Sequence, residues 1–351
     1  MEIGMRMKLA VPIAALLLAG FAAAGKPWDW GDANDEWSSS PGYAESKALC
    51  RKLRNKEPPA PDRPSPAVAA ALKGCSSEAL YYGIGMAPDP VGARQCAFLE
   101  TGRDDAGVFS GRTMLMTIYA NGVGAKRDLD VAIHLACGIE GAPMESHGRV
   151  TRLAELRKKG WKGQDFHFCD DITSGLAMGY CAAHEADMAA PRREAALAAM
   201  SARWSPAARQ AFARLRTAHE AYVEAHGSGE VDLSGTARAA MAIEAEEALR
   251  DELVEVLERL RSGRALPTAA SRLQAEDAQL NAAYRQRLKE AGGDVYPGGV
   301  TREGVRDAER AWLRYRDAFL AFAAIQFPRV PRSELAAWLT RRRAALLMPQ
   351  D

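Results

Sequence analysis

The chain has 351 residues, of which 48% are hydrophobic, and its 46 basic side chains are almost balanced by 45 acidic ones. This balance leaves no excess of positive charge for nucleic acid or for an anionic membrane surface, so composition argues against both as partners.

The N terminus predicts an export signal. Arg6 and Lys8 precede an apolar run over residues 9–21, and small alanines at positions 22–24 stand before a predicted cleavage at Ala24–Gly25. The run is shorter than the about 20 residues that a spanning helix needs. We therefore predict that residues 1–24 are a signal peptide. The mature protein is predicted to be periplasmic or secreted and to have no membrane anchor.

Cysteine usage fits that compartment. Removing the predicted signal leaves 44 basic and 44 acidic residues and all of the cysteines, which are Cys50, Cys75, Cys96, Cys137, Cys169 and Cys181. An even number of cysteines in an exported chain indicates disulfides. Sequence order and matched helix positions favour the pairs Cys50–Cys75, Cys96–Cys137 and Cys169–Cys181, of which the last is local. Because no cysteine follows Cys181, the covalent bracing belongs to the first half.

Residues 25–66 are predicted to be an N-terminal segment that ends in a Pro-rich linker. The tract "EPPAPDRPSP" at residues 57–66 favours an extended spacer rather than a helix. Beyond it, Ala, Leu, Arg and Glu recur at helical spacing, and no convincing strand alternation appears. The predicted fold class is all-α.

An internal repeat appears when the chain is shifted by 39 residues. Gly83 then falls on Gly122, Gly85 on Gly124, Asp89 on Asp128, Ala93 on Ala132 and Gly102 on Gly141. A period near 40 is typical of stacked helical hairpins. The glycines suit tight turns, and each aspartate suits a helix N-cap. A phosphate-binding loop is the alternative, but the third glycine, the preceding strand and the P-loop lysine are missing.

The segment "LMTIYANGVGAKRDLDVAIHLA" resembles a Sel-like repeat, a relative of the tetratricopeptide repeat. The resemblance covers residues 77–159, and we predict a repeat domain over residues 67–160. Such arrays are protein-interaction scaffolds, which is what the resemblance implies here.

The second half of the chain also looks duplicated. A shift of 90 residues places Asp187 on Asp277, Ala218 on Ala308 and Tyr222 on Trp312. We therefore expect one or two small helical bundles, a degenerate copy over residues 165–261 and a better preserved copy over residues 272–348.

The stretch "RDAERAWLRYRDAF" at residues 306–319 has two helical faces. One apolar stripe consists of Ala308, Trp312, Tyr315, Phe319 and Phe322, and a second row consists of Arg306, Arg310 and Arg314. The stripe predicts a packing face. The arginine row is the candidate contact surface, with the ion pairs Asp307–Arg310 and Arg314–Asp317 at i, i+3 spacing.

Two neighbouring helices are predicted to complete a three-helix bundle. The upstream helix carries Leu273, Leu280, Tyr284 and Leu288 on one side, and the closing helix carries Leu335, Trp338, Leu339 and Leu346. Arg316 and Asp317 are expected to form a structural polar pair between helices.

Residues 272–348 resemble the domain of LprI-type lysozyme inhibitors. The segments that carry the resemblance are "EDAQLNAAYRQRLKE", "VRDAERAWLRYRDAF" and "WLTRRRAALL". The positions that match the family pattern are Asp277, Leu280, Asn281, Tyr284, Ala308, Trp312, Arg316, Asp317, Leu339, Thr340, Arg343 and Leu347. The degenerate copy keeps the family's early cysteine pair as Cys169 and Cys181. The family's cysteine after Asp317 is missing, since Phe319 follows.

The resemblance implies an exported module that binds another protein, either lysozyme or an envelope protein. From residue 300 onward the chain has ten arginines against six acids, whereas a cationic lysozyme would favour an acidic face. A periplasmic interaction module with another partner, or an envelope scaffold acting through the repeats, therefore stays open.

No catalytic motif stands out. The six histidines form no H-E-x-x-H pair, and the chain has neither G-x-S-x-G nor a carboxylate pair that differs from surface charge. His167 lies close enough in sequence to Cys169 to suggest a metal ligand, but a disulfide is the preferred use of that cysteine. We predict no enzyme activity and no cofactor, and a cell-wall hydrolase is the alternative to discard by experiment.

Overall fold

The computed structural model describes residues 27–101, 103, 107–292 and 297–348, so the predicted signal peptide lies outside the described part. These residues form thirteen α-helices and short 3-10 turns, with no strand among them. The all-α prediction is confirmed. The helices are α1 Ala44–Leu53, α2 Pro66–Ala71, α3 Ser77–Tyr82, α4 Pro90–Glu100, α5 Gly111–Asn121, α6 Leu129–Cys137, α7 Pro143–Lys158, α8 Gly175–Ser201, α9 Pro206–Gly229, α10 Arg238–Arg261, α11 Leu273–Glu290, α12 Arg302–Gln326 and α13 Arg332–Leu347.

Buried side chains divide into two hydrophobic cores. The repeat-region core holds buried residues between Trp30 and Cys181, and the bundle core holds buried residues between Leu197 and Leu347. None of the described helices combines the length and apolarity that a bilayer crossing requires.

Helical hairpins build the repeat-region core. Helix α3 packs on α4, and α5 packs on both α4 and α6. Gly83 and Gly122 follow α3 and α5 at φ values of 74° and 66°, where an L-residue would be strained. Asp89 and Asp128 accept hydrogen bonds from backbone N–H groups at the starts of α4 and α6. The two hairpins therefore share a glycine in the turn after the first helix and an aspartate N-cap on the second helix.

The Pro-rich tract is not the extended spacer that its composition predicts. Its middle forms a 3-10 turn, Ala60–Asp62, which packs against the hairpins. Tyr119 donates to the Asp62 carboxylate at 2.7 Å, and the Arg94 guanidinium donates to the Asp62 carbonyl oxygen at 3.1 Å. These contacts hold the tract on the repeat region.

Three disulfides brace the first half of the chain, and only one predicted pairing is correct. The observed bonds are Cys50–Cys137, Cys75–Cys96 and Cys169–Cys181, so Cys50–Cys75 and Cys96–Cys137 are wrong. The reason is tertiary. Helix α1 packs on α6 and α7, which brings Cys50 to the end of α6, and the α3–α4 hairpin brings Cys75 beside Cys96.

The bundle is not the self-contained three-helix unit that sequence predicts. Helix α11 packs on α13, α8 packs on α10, and α12 packs mainly on α9. Gly229 at the end of α9 meets Gly304 at the start of α12, so these two helices run antiparallel. The aromatic stripe of α12 needs a long apolar partner, and α11 has only Glu276 and Leu280 fully buried.

Helix α8 belongs to both cores. Cys181, in its first half, lies in the repeat-region core, whereas Leu197 and Met200, near its end, lie in the bundle core. A Cβ atom on Gly175 would come within 2.3 Å of the Thr236 backbone, so the start of α8 lies close against the chain leading into α10. One continuous helix thus connects the repeat region to the bundle.

Candidate functional site

The inner face of α12 is a packing surface. Trp312 is 2% exposed and Phe319 is fully buried. The ring of Tyr315 stacks on Tyr222 of α9, with centroids 5.7 Å apart, and Phe322 lies 5.4 Å from Phe212. The aromatics of this segment therefore join α12 to α9.

The outer face of α12 carries the arginine row, Arg306, Arg310 and Arg314, and all three side chains are exposed. Arg310 pairs with Asp307 at 2.5 Å, as the spacing predicts. Within the described part of the chain, no carboxylate is paired with Arg306 or Arg314, and the predicted pair Arg314–Asp317 does not form. The row therefore leaves positive charge accessible to a partner.

Arg316 and Asp317 do not make the inter-helix pair that we expected. The Arg316 guanidinium contacts Asp317, its neighbour in sequence, at 3.0 Å, and Asp317 is exposed. The guanidinium also lies over the Trp312 ring, 5.2 Å from its centroid. The pair therefore lies on the surface of α12 and does not cross to another helix.

The other family-pattern positions mostly build the contact between α11 and α13. Leu280, Ala308, Leu339, Thr340 and Leu347 are buried, whereas Tyr284 is half-buried and Asn281 is exposed. The Thr340 hydroxyl donates to the Asp277 carboxylate at 3.5 Å, and the Asn281 amide donates to the Asp277 carbonyl oxygen. The first of these bonds joins α13 to α11, and the second lies within α11.

Arg343 occupies the centre of a buried ion cluster that crosses the bundle. Its side chain has no exposed surface, and it donates to both oxygens of Glu230 at 2.6 and 2.7 Å. Its Nε also donates to Glu309 of α12 at 3.0 Å, and one terminal nitrogen lies 3.4 Å from the Tyr222 hydroxyl. The family pattern includes Arg343 but does not include Glu230, which follows α9 in another part of the chain.

The two acids on Arg343 are not equivalent. Burial of Glu230 opposes its ionisation, but hydrogen bonds from Arg343 and His226 outweigh burial and lower its pKa. Burial raises the pKa of Glu309, and the nearby Arg343 only partly offsets that effect. Glu230 is therefore the principal negative partner of Arg343.

A charged cleft of about 420 Å³ lies between α8, α9 and α10. The cleft is lined by His219 and by the charged side chains of Asp187, Arg193, Glu194, Glu220, Glu246, Glu247 and Arg250. Arg250 contacts three of these acids at 2.8–3.3 Å, and Arg193 contacts Glu247. Five carboxylates against two guanidinium groups make this cleft acidic, in contrast to the arginine row on α12.

Across the described residues, no group of three or more His, Cys, Asp or Glu side chains is placed to hold a metal ion. Cys169 is in a disulfide, so its sulfur does not form a metal site with His167. The two surfaces present exposed charged side chains of opposite net sign on helix faces.

A comparison with protein families matches residues 262–347 to the family Lysozyme inhibitor LprI. The match covers α11, α12 and α13 and begins at residue 262 rather than at the predicted residue 272. Searches among curated proteins and among solved structures found no match. The C-terminal part of this chain therefore carries an LprI-like domain.

Proposed function

We propose that this protein is an exported protein-binding module whose LprI-like domain recognises another protein, with c-type lysozyme as the first partner to test. The observation that carries the proposal is the family match over residues 262–347, which bears the name of an inhibitor and not of an enzyme.

Disulfides support an extracytoplasmic location. All six cysteines are paired in disulfides, and such bonds persist in the periplasm or outside the cell, where thiols are not kept reduced. The N-terminal sequence reads as a signal peptide that would deliver the chain there. Periplasmic or secreted localisation is therefore part of the proposal.

The arginine row on α12 is the proposed contact surface. Its three guanidinium groups are exposed, and the core does not need them, because Trp312, Phe319 and their neighbours supply the packing on the opposite face. Exposed guanidinium groups recognise carboxylates by paired hydrogen bonds. The row therefore fits an acidic region of the partner.

The direct test is inhibition of c-type lysozyme by the purified oxidised protein, at low and at moderate salt. We expect saturable, stoichiometric inhibition. Inhibition that weakens with salt would show that the arginine row meets a local acidic region of lysozyme, because screening reduces attraction between exposed charges. Absence of inhibition at high molar excess would rule out lysozyme as the partner.

Two matched variants locate the surface. The first variant combines Arg306→Gln, Arg310→Gln and Arg314→Gln and should inhibit lysozyme more weakly. The control variant combines Arg285→Gln, Arg329→Gln and Arg332→Gln and should inhibit as the wild type does. Both sets remove three positive charges from exposed positions of the same domain. If the two sets behave alike, net charge and not the row governs binding. Loss of inhibition only on Asp187→Asn and Glu194→Gln would move the contact to the acidic cleft.

A scaffold acting through the helical hairpins is the second candidate. The hairpins α3–α4 and α5–α6 share their turn and capping residues, and the sequence resembles Sel-like repeats. If lysozyme is not inhibited, affinity capture from envelope extracts tests this function. The capture compares the wild-type protein with a variant whose exposed residues on α3–α6 are mutated.

We also propose that residues 165–261 are a degenerate copy of the LprI-like domain. The shift of 90 residues that superposes the two sequence segments also places α8, α9 and α10 over α11, α12 and α13. The packing supports the proposal, since α8 pairs with α10 as α11 pairs with α13, and α9 meets its counterpart α12.

A further inference from the structure

A small cavity of about 240 Å³ lies where α10, α13 and the loop between α10 and α11 meet. Pockets that bind drug-sized ligands have volumes of about 300–1,000 Å³, so this one has room for a single small group. The residues that line it are Glu252, Glu255 and Arg259 of α10, Pro267 and Thr268 of the loop, and Trp338, Arg341 and Arg342 of α13.

Two guanidinium groups of the cavity are held by the same loop. The Arg259 guanidinium donates to the Ala265 carbonyl oxygen at 3.2 Å, and the Arg341 guanidinium donates to the Pro267 carbonyl oxygen at 3.1 Å. Each contact uses one N–H donor, and a guanidinium group has several. The loop therefore holds both groups in place and leaves donors on each of them for a further acceptor.

The charges that line the cavity are unevenly paired. Arg342 contacts Glu252 at 2.6 Å, whereas Arg259 lies 3.8 Å from Glu255, beyond hydrogen-bond distance. In the part of the chain that the structure describes, no carboxylate is paired with Arg341. Three guanidinium groups and two carboxylates line the cavity, so positive charge is in excess.

A buried hydroxyl group at the cavity also has no partner. Thr268 is 6% exposed, and its Oγ1 makes no hydrogen bond to any described residue. Buried side-chain polar atoms are as a rule hydrogen-bonded, so this hydroxyl indicates a group that binds from the cavity. A water molecule would satisfy the hydroxyl but would not compensate the charge of Arg341.

We propose that this cavity binds one carboxylate group, which Arg259 and Arg341 hold by charge-assisted hydrogen bonds and to which the Thr268 hydroxyl donates. Guanidinium groups match a planar carboxylate by paired hydrogen bonds. A single negative charge compensates the excess, whereas a doubly charged phosphate would leave a negative charge beside Glu252 and Glu255. The largely buried Trp338 ring gives the cavity an apolar wall for the methylene groups of an acidic side chain.

The cavity is separate from the arginine row of α12, since no residue of the row lines it. That a bound protein supplies the carboxylate, from an aspartate or glutamate side chain, rests on the proposed function. The binding of a carboxylate itself does not, because it is measured without a protein partner. Failure of lysozyme inhibition and failure of carboxylate binding are therefore distinguishable.

Titration of the purified, oxidised full chain with N-acetyl-glutamate amide, which carries one carboxylate, tests the proposal. The indole N–H resonance of Trp338 in isotope-labelled protein reports binding by NMR, after assignment with Trp338→Phe. We expect a saturable shift of this resonance. The uncharged analogue N-acetyl-glutamine amide should leave it unchanged. Equal shifts with both compounds, no shift with either, or tighter binding of inorganic phosphate would overturn the proposal.

Matched variants identify the groups that bind. Arg341→Met should weaken binding about tenfold, because a charge-assisted hydrogen bond is lost. The control is Arg261→Met, which removes a charge from an exposed position at the end of α10, outside the cavity, and should bind as the wild type does. Equal losses in these two variants would show that net charge governs binding and would contradict the proposal.

Thr268→Val tests the hydroxyl group separately. Valine has nearly the same shape as threonine, and the Thr268 hydroxyl makes no hydrogen bond within the described fold, so the melting temperature should not fall. We expect binding of N-acetyl-glutamate amide to weaken severalfold, because one donor to the carboxylate is lost. Unchanged affinity in this variant would overturn the role assigned to the hydroxyl.

Discussion

At the scale of single residues, Arg343 shows how a family pattern can identify a position without identifying its partners. Sequence places it in the closing helix, where an arginine is ordinarily solvated. In the fold it is buried among Tyr222 and Glu230, from α9 and its C-terminal end, and Glu309 of α12. A buried guanidinium needs charged partners, and those partners were beyond the reach of local spacing.

Removing this guanidinium should destabilise the bundle strongly. Arg343→Met leaves the Glu230 carboxylate buried without its main partner, and breaking a buried pair in this way costs about 3–5 kcal/mol. Urea unfolding followed by circular dichroism would measure the loss. The control is Arg310→Met, since the exposed Arg310–Asp307 pair contributes at most about 1 kcal/mol. Equal effects of the two variants would show that the cluster is solvated.

The depressed pKa of Glu230 predicts an acid-dependent share of stability. A carboxylate whose folded pKa lies below its ordinary 4.5 stabilises the fold above that value, and the benefit is lost as pH falls through the folded pKa. The difference in unfolding free energy between wild type and Glu230→Gln should therefore shrink from pH 6 to pH 3. Glu258→Gln, at an exposed site on α10, should give a small difference at every pH. A constant large difference for Glu230→Gln would mean that the role of this residue is steric.

At the scale of helices, α12 marks both the success and the limit of pattern analysis. The stripe of Ala308, Trp312, Tyr315, Phe319 and Phe322 is buried as its 4, 3, 4, 3 spacing predicts. Periodicity states that a face is covered but carries no information on which helix covers it. The partner is α9, some 100 residues upstream, and only the tertiary fold reveals it.

Truncating this stripe should be costly at its centre. Phe319 is fully buried, so Phe319→Ala is expected to lower the unfolding free energy by about 3–5 kcal/mol. Leu313, on the other side of the same helix, is 37% exposed and provides the control. Leu313→Ala should change stability by less than about 1 kcal/mol. Chemical denaturation of both variants would decide, and a reversed order would mean that the stripe is not the packing face.

The disulfides should differ in their contribution because they close loops of different size. Cys50–Cys137 joins residues 87 apart, whereas Cys169–Cys181 joins residues 12 apart. Loop-closure entropy assigns roughly 4–5 kcal/mol to the first and about 3 kcal/mol to the second. Thermal unfolding of the two Cys→Ala double variants should therefore show the larger loss for the Cys50–Cys137 pair. The opposite ranking would point to local packing around Cys181.

At the scale of the whole molecule, sequence predicts the helical class and the location of the LprI-like domain with its three helices. It fails on arrangements that depend on distant segments. Cys50 meets Cys137 because α1 packs on α6, and the tract around Asp62 is held by Tyr119 and Arg94. Each of these contacts joins residues more than 30 positions apart. The spacing of residues along a single helix carries no information about such contacts.

Shared packing between α9 and α12 predicts that the LprI-like domain needs the preceding segment. A fragment starting at residue 262 would expose Tyr315, Phe319 and Phe322, which α9 covers in the full chain. We expect that fragment to self-associate or to be unfolded, as measured by light scattering and circular dichroism. Adding a fragment of residues 165–261 should restore a one-to-one folded complex. A stable, monomeric fragment would show that the domain closes on itself.

The nesting of the disulfides has a consequence for how the chain matures. The bond Cys75–Cys96 lies inside the loop closed by Cys50–Cys137. A chain that oxidised its cysteines strictly in the order of synthesis would first join Cys50 to Cys75 and then Cys96 to Cys137, and both pairs are non-native. Reaching the native bonds from that state requires a free thiolate to attack a disulfide and exchange partners. If oxidation follows the order of synthesis, the yield of native protein should depend on an isomerase or on a redox buffer that keeps exchange possible.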